Sequence, residues 1–465
     1  MRLKAKSEHK FKVPHVYVII FCLIILAAIA TYLVPAGEYE RVTENGVTVV
    51  VNDTYSQVSS SPVGFFGIFK SVHEGMSEAA GIIFFIFIVG GAFGIFRATG
   101  TVDGAIHTLS KKLGGKEILL IPGLMIFFAL GGAIFGLAEE TIPYIMIVTP
   151  LALMLGYDRM VGVGIVLGGA AAGFTAAFMN PFTIGVAQGI AEIPIYSGLV
   201  TRIVFWVIFL SVSIAYVMLY ARKVKKDPTK SVLYGEEPND ELTINPENQH
   251  PLTIRQGFIL ATLFLTVIGL AIGVIKFDWY ITEISGMFLL MGIVMGIIGK
   301  MHVNDMAEAF IEGCKVLVMG ALVVGFAYAI LIVLQNGNIM DTILYGLANL
   351  VSGLPSGLTA IGMYLAQCLL NFIVPSGSGQ AALTMPIMTP LADLVGVNRQ
   401  TAVLAFQFGD GISNILTPTS GYFMAGLAVA GVAWTKWVRF IWPLILIQYA
   451  LGAIFVTVAH LFIWT

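Results

Sequence analysis

Long apolar stretches divide this chain, and two kinds of interruption between them occur twice. Runs at 16–34, 79–96, 203–220, 258–275 and 317–334 are each long enough for a helix to cross the hydrocarbon core of a bilayer. Elsewhere an apolar segment stops at a short polar tip and resumes. Segment 118–137 meets Ala138-Glu139-Glu140-Thr141, and 357–375 meets Ser376-Gly377-Ser378-Gly379-Gln380. The chain after each tip rhymes: Thr149-Pro150-Leu151-Ala152 and Gly156-Tyr157-Asp158-Arg159 return as Thr389-Pro390-Leu391-Ala392 and Gly396-Val397-Asn398-Arg399. A further apolar segment then breaks at Asn180-Pro181-Phe182-Thr183, and its counterpart at Thr417-Pro418-Thr419-Ser420. The pattern predicts helical hairpins over 118–156 and 357–396, and broken helices over 160–191 and 400–433.

With 57% hydrophobic and 11% charged residues, the 465-residue chain has too few charges to cover a soluble globule. It reads as an all-α polytopic membrane protein. A net charge of −2 and the lack of a basic domain give no reason to expect nucleic acid. Cys22, Cys314 and Cys368 lie in or beside apolar segments without metal-ligand spacing, and read as small buried hydrophobes. The basic N-terminus (Arg2, Lys4, Lys6, Lys10, Lys12) leads into 16–34, which is too long for a signal-peptide core and reads as a retained first span.

Lys and Arg placement orients the spans. The basic N-terminus is expected in the cytoplasm and 37–62, with Arg41 as its one cation, outside. The connector with Arg97, Lys111, Lys112 and Lys116 returns inside, as does the linker 222–255, which opens Arg222-Lys223-Val224-Lys225-Lys226. Hairpin 118–156 then enters from the cytoplasm. The corresponding connector 335–356 has no Lys or Arg and belongs outside, so hairpin 357–396 enters from the opposite face. Shared pattern with opposed charge asymmetry predicts an inverted-topology repeat of 1–221 and 256–465. The alignment also pairs Glu74-Gly75 with Glu312-Gly313, Asp103 with Asp341, and Gly189 with Gly426.

Backbone that leaves a helix inside lipid must be buried in protein or line a cavity, so the four breaks are expected to converge. Matched interruptions in two halves are the sequence mark of a secondary transporter and its binding site. Within the hairpins and broken helices the ionisable residues are Glu139, Glu140, Asp393 and Asp410, with no Lys, Arg or His. Asp393 sits at the hairpin exit, near the interface. An intramembrane charge costs on the order of 3 kcal/mol or more, which makes the other three functional candidates. Structural readings stand beside that one. Glu139 and Glu140 open a helix and can cap it, and Asp410 can be a buried Asp bonded to Ser413 or Asn414. The 376–379 stretch can be a plain turn, and Pro181 and Pro418 end helices wherever they fall. The two tips differ in chemistry, one acidic and one rich in N–H donors, which suits a ligand with a cationic end and a carboxylate end.

Tyr32-Leu33-Val34-Pro35-Ala36-Gly37-Glu38-Tyr39, the 138–141 tip, Pro375-Ser376-Gly377-Ser378-Gly379-Gln380-Ala381, and Asp410-Gly411-Ile412-Ser413-Asn414 with Thr417-Pro418-Thr419-Ser420-Gly421 resemble the YfcC family of the ion-transporter superfamily. That superfamily includes C4-dicarboxylate carriers of the DcuC type. The resemblance covers nearly the whole chain. It implies a homodimer in the bacterial inner membrane, a scaffold layer beside a transport layer, and elevator-type alternating access. Related dicarboxylate carriers hold Na⁺ and a carboxylate on a Ser-Asn-Thr motif at each hairpin tip. Here Glu139-Glu140-Thr141 and Ser378-Gly379-Gln380 stand instead. Some members resemble arginine/ornithine exchangers, which the unpaired carboxylates fit better.

The resulting expectation is a secondary active transporter that exchanges basic amino acids, without a catalytic residue or bound cofactor. Glu139 and Glu140 would take the α-ammonium or guanidinium group and Asp410 the other cationic end. The N–H groups of Ser376, Gly377, Ser378, Gly379 and Gln380 would take the α-carboxylate, and Thr141, Asn180, Asn414, Thr417 and Ser420 would line the site. The alternative is a Na⁺- or H⁺-coupled carboxylate transporter, its coupling ion near Glu139, Asn180, Asp410 and Thr417. An intramembrane aspartyl protease is disfavoured because Gln407 stands where a Gly-x-Gly-Asp motif needs its first Gly, and Asp158 abuts Arg159. A channel is disfavoured by the opposed hairpins.

Overall fold

The computed structural model describes residues 16–464 apart from 45–46, 52, 103, 106–107, 109–116, 237–250, 278, 280 and 355. The basic N-terminal residues, Asp103 and Lys111, Lys112 and Lys116 therefore lie outside the described residues. The first half comprises α1 (Val16–Leu33), α2 (Phe65–Glu78), α3 (Ala80–Ala98), α4 (Leu120–Leu130), α5 (Ile142–Met154), α6 (Arg159–Val163), α7 (Gly169–Thr175), α8 (Val186–Ile190) and α9 (Leu199–Lys226). The second half comprises α10 (Ile254–Phe277), α11 (Ile281–Gly299), α12 (Val303–Asn336), α13 (Met340–Ser352), α14 (Ser356–Asn371), α15 (Gly377–Leu394), α16 (Arg399–Ser413), α17 (Gly421–Val429) and α18 (Trp434–Val458). Among the described residues, six helices are long and apolar enough to cross a membrane, and the chain is a multi-pass membrane protein. Its polarity is inverted accordingly: Phe65, Leu33, Val200 and Phe462 are exposed, while Asn180, Gln380, Asp410, Thr417 and Ser420 are buried.

One departure from an all-helical chain lies in the polar segment after α1. Strands β1 (Gly37–Glu38), β2 (Arg41–Glu44), β3 (Val47–Val50) and β4 (Ser56–Gln57) form two antiparallel pairs, β1 with β4 and β2 with β3. The Asn45-Gly46 dipeptide between β-branched residues is the sequence signal for the second pair, and a search for apolar spans passes over it. Asp341, at the start of α13, holds this segment: Arg41 Nη2 donates to Oδ1 at 2.8 Å and the Tyr39 N–H to Oδ2 at 2.9 Å.

Both predicted hairpins double back. Tyr144 meets the rings of Phe127 and Phe128 at 6.5 and 5.5 Å, across a tip that includes Gly136 in a left-handed conformation (φ +73). The first arm with its flanking turns, Glu117–Phe135, is long enough by length to span, so the reversal, not arm length, makes it a hairpin. In the second, Gln367 Nε2 donates to Thr384 Oγ1 at 2.9 Å across the 372–376 break. The rhyming sequence has a common structural use. Gly156 (φ +81) and Gly396 (φ +72) end α5 and α15 in left-handed geometry that a Cβ would strain. Asp158 and Asn398 then cap α6 and α16, accepting from Val161 N and Gln400 N.

The next residue of each rhyme reaches into the other half. Arg159 Nη1 donates to the carbonyls of Ala430 and Gly431 beyond α17, at 3.5 and 2.8 Å. Arg399 Nη1 donates to the carbonyl of Ala191 beyond α8, at 2.9 Å. Between these ends, Gln407 Nε2 donates to the Phe174 carbonyl at 2.6 Å, and Gly411 lies against Thr175. The start of each broken helix therefore abuts the end of the other, their breaks lie side by side, and they run in opposite directions. Each hairpin also packs on the opposite broken helix: Gly377 touches Thr183, and Ile145 touches Gly426.

Small residues let these elements approach. On α3, Gly90 and Gly94 sit at small-xxx-small spacing. They meet Gly313 of α12 so closely that a Cβ there would lie 2.2 Å from the Gly90 carbonyl oxygen. Gly313→Ala is expected to lower stability by about 1–3 kcal/mol. Gly346→Ala on α13, where a Cβ meets nothing within 4 Å, should be neutral or stabilising. Thermal unfolding of the two purified variants checks this, and equal midpoints would show that the seam is not tightly packed.

Candidate functional site

The interrupted backbone creates the polar centre. The 139–141 stretch is a single tight turn leading into α5, and its side chains fold back on it. Glu140 Oε2 accepts from the Ala138 N–H at 3.0 Å, and Thr141 Oγ1 donates to the Ala138 carbonyl at 2.5 Å. At the other tip Ser376 caps α15: its Oγ accepts from Gly379 N at 3.3 Å and its carbonyl from Gln380 N at 2.7 Å. Helix geometry leaves the earlier N–H groups, on Gly377 and Ser378, without an intrahelical acceptor.

These two tips face one cavity of ≈ 110 Å³. Glu139 and Glu140 line one part of it, Ser376, Gly377 and Ser378 another, and Asn414 borders it from the second break. Among the described residues, no Lys, Arg or His lines it. Tyr422, just past the second break, and Tyr328 of α12 complete the polar wall. Thr183 from the first break and Ile82 and Ile281 from α3 and α11 also contribute.

The remaining candidates stand behind this wall. Asp410 is fully buried, and its Oδ1 accepts from Asn371 Nδ2 and Asn414 Nδ2, both at 2.9 Å. Its Oδ2 has no partner and would lie 3.4 Å from a Cβ on Gly377, directly beneath the second tip. Asn180 acts as a strut. Its Oδ1 accepts from Phe182 N and Thr183 N, and its amide reaches the Gly132 carbonyl at 3.4 Å. Gln380 Nε2 donates to the carbonyl and Oε1 of Gln367. Thr417 and Thr419 share a hydrogen bond of 2.6 Å, and the buried Ser420 hydroxyl is unpaired. Asp393 lies away from the centre, gripped by the Arg399 guanidinium at 2.7 Å, which holds its carboxyl below the usual range.

Asn371, Gln367 and Thr384 escaped the sequence reading, which looked for neutral polar residues only at the tips and breaks and not within the hairpin arms. The signal was available: Gln367 and Asn371 fall at i and i+4 in an otherwise apolar arm, so they share a helix face. Asn371 links the two arms of the second hairpin to α16, donating also to Gln380 Oε1 at 3.1 Å. The three cysteines are free thiols; Cys368 is buried as the sequence suggests, whereas Cys314 is half-buried and Cys22 is exposed on α1.

The sequence profile of the family described as "DcuC: C4-dicarboxylate anaerobic carrier" matches residues 13–461. An Escherichia coli K12 protein named "Putative basic amino acid antiporter YfcC" is 39% identical over 94% of each chain. An uncharacterised Haemophilus influenzae protein is 30% identical over 98% of each. The Alcanivorax borkumensis YdaH transporter structure overlaps 96% of this chain and 98% of its own at 15% identity, with a TM-score of 0.45, too loose to carry a mechanistic reading across.

Asn371→Ala removes one of the two donors that hold Asp410 and is expected to lower stability by about 1–3 kcal/mol. Ser378→Ala removes a cavity-wall hydroxyl that makes no hydrogen bond among the described residues, and should leave stability unchanged. Indistinguishable unfolding midpoints would show that Asp410 does not depend on Asn371.

Proposed function

This chain belongs to the C4-dicarboxylate anaerobic carrier family of the DcuC type and is a membrane transporter, not an enzyme; from that premise we propose that it exchanges basic amino acids across the bacterial cytoplasmic membrane. The polarity of the cavity carries this reading: two carboxylates on one side, helix-start N–H groups on the other, and no cationic side chain in the wall among the described residues. Glu139 and Glu140 receive the ammonium or guanidinium group, and Gly377 and Ser378 N–H groups the α-carboxylate. A dianion would face the same two carboxylates without a compensating charge. The name of the Escherichia coli relative, which gives that protein basic amino acid antiport, points the same way.

Asp410 in this reading lies behind the second tip and outside the cavity lining, where it holds Asn371 and Asn414 in place and does not meet the solute itself. The scheme treats 1–221 and 256–465 as inverted repeats joined by 222–255, with a cytoplasmic N-terminus, and the protein as a homodimer with elevator-type access. Support for the repeats comes from the opposed broken helices and the reciprocal reach of Arg159 and Arg399.

A second reading is cation-coupled uptake of a carboxylate, and one observation favours it. Asp410 Oδ2, Asn371 Oδ1 and Asn414 Oδ1 are all buried and unpartnered, within one hydrogen-bonded group. Grouped oxygen acceptors without donors suit a proton or a dehydrated Na⁺.

Proteoliposomes preloaded with arginine or ornithine separate the two. Labelled arginine should enter without any Na⁺ or pH gradient, and only when internal substrate is present. Glu140→Gln removes a buried charge partner worth roughly 2 kcal/mol or more, so exchange should fall about 30-fold or further. Absent exchange, with dicarboxylate accumulating once a Na⁺ or H⁺ gradient is imposed, would establish the second reading instead.

A further inference from the structure

Glu140 borders two cavities of opposite character. Besides the polar one, it lines a cavity of ≈ 270 Å³ between the first hairpin and helices α10 and α11. Among the described residues, four aromatic side chains line this second space: Phe127, Phe135 and Tyr144 from the hairpin, and Phe288 from α11. The rest of the wall is aliphatic or glycine, including Val267 of α10. Among the described residues, Glu140 is its one charged group, 9% exposed, and no Lys, Arg or His lines either cavity.

A carboxylate at the edge of an apolar, ring-lined space is poorly solvated and lacks a counter-charge. The chemistry that satisfies such a place is a single positive charge on an apolar body. The charge meets the carboxylate and the negative faces of aromatic rings, and the body fills the space. A basic amino acid does not suit it, because its α-carboxylate would be buried without a donor. A neutral lipid chain would fill the volume and leave the carboxylate unanswered.

We propose that this cavity is a binding site for organic ammonium ions bearing an apolar substituent, of the arylalkylamine type, separate from the space that takes the transported solute. An amine seated there occupies Glu140 and lies between the hairpin and α10 and α11. The inference does not depend on which solute is carried.

Calorimetric titration of the full-length protein in lipid nanodiscs with phenethylamine tests it. Saturable binding of one amine per chain is expected. Phenethyl alcohol, with the same ring and no charge, should bind about tenfold more weakly or worse, the factor of a charged hydrogen bond of roughly 1.5 kcal/mol or more. Val267→Trp fills the apolar wall while leaving Glu140 in place, and should weaken amine binding by about tenfold or more. The amine–alcohol comparison stands even where that variant fails to fold. Equal binding of amine and alcohol, no saturable binding, or unchanged amine binding by folded Val267→Trp would each overturn the proposal. No arm uses an amino acid or counts transport, so failure here is distinct from failure of the exchange reading.

Discussion

The structure depends on one constraint: backbone that leaves a helix within hydrocarbon must find its hydrogen-bond partners inside the protein. Four interruptions in one chain cannot be served separately without four polar pockets. Here they serve one another. Asn180 and Ser376 cap the segments after their own breaks. Gln407 reaches across to the carbonyl of Phe174, where the first broken helix ends its first part. The polar centre thus follows from the breaks, and the cavity is the space that their partners leave.

Arginine placement extends the same logic to the outer ends. The last carbonyls of a helix carry partial negative charge and no intrahelical donor. Arg159 supplies donors to those beyond α17, and Arg399 to one beyond α8. Each also meets a carboxylate, Glu236 at 3.3 Å for Arg159 and Asp393 at 2.7 Å for Arg399. The surface part of such pairs adds little stability. The carbonyl contacts matter more, because they fix the start of one broken helix to the end of the other and so hold the two breaks at one level.

Much of this was legible in the sequence because the signals are local and repeated. A left-handed glycine followed by an Asx cap and an arginine has a fixed use, so Gly156-Tyr157-Asp158-Arg159 and Gly396-Val397-Asn398-Arg399 gave the hairpin exits and helix starts. Glu139, Glu140 and Ser376 to Ser378 were visible as polar tips, and they do meet at one cavity. What the arginines bind was not legible, since Ala430 and Ala191 offer backbone carbonyls that no side-chain pattern marks. The placement of Asp410 was also hidden. Its place behind the cavity depends on Asn371 and Gln380 in the second hairpin, and on how closely Gly377 lets that hairpin approach Thr183. The strands at 37–57 were missed for a simpler reason, because a scan for apolar length ignores alternation over a few residues.

These links also limit which parts can move independently in the proposed transport cycle. The broken helices are joined at both ends by arginine and at the middle by Gln407, so shifting one alone would strand buried donors and carbonyls. Each hairpin is seated on the opposite broken helix, through Gly377 on Thr183 and Ile145 on Gly426. A displacement that spares these contacts carries both hairpins and both broken helices together. The first hairpin meets α10 and α11 differently, across an apolar cavity. Sliding is cheapest where the contact is apolar and loosely filled, because dispersion contacts re-form in a new register while a buried hydrogen bond must be lost before it is replaced. The boundary of a moving body is therefore better placed at that cavity than between the two halves of the sequence.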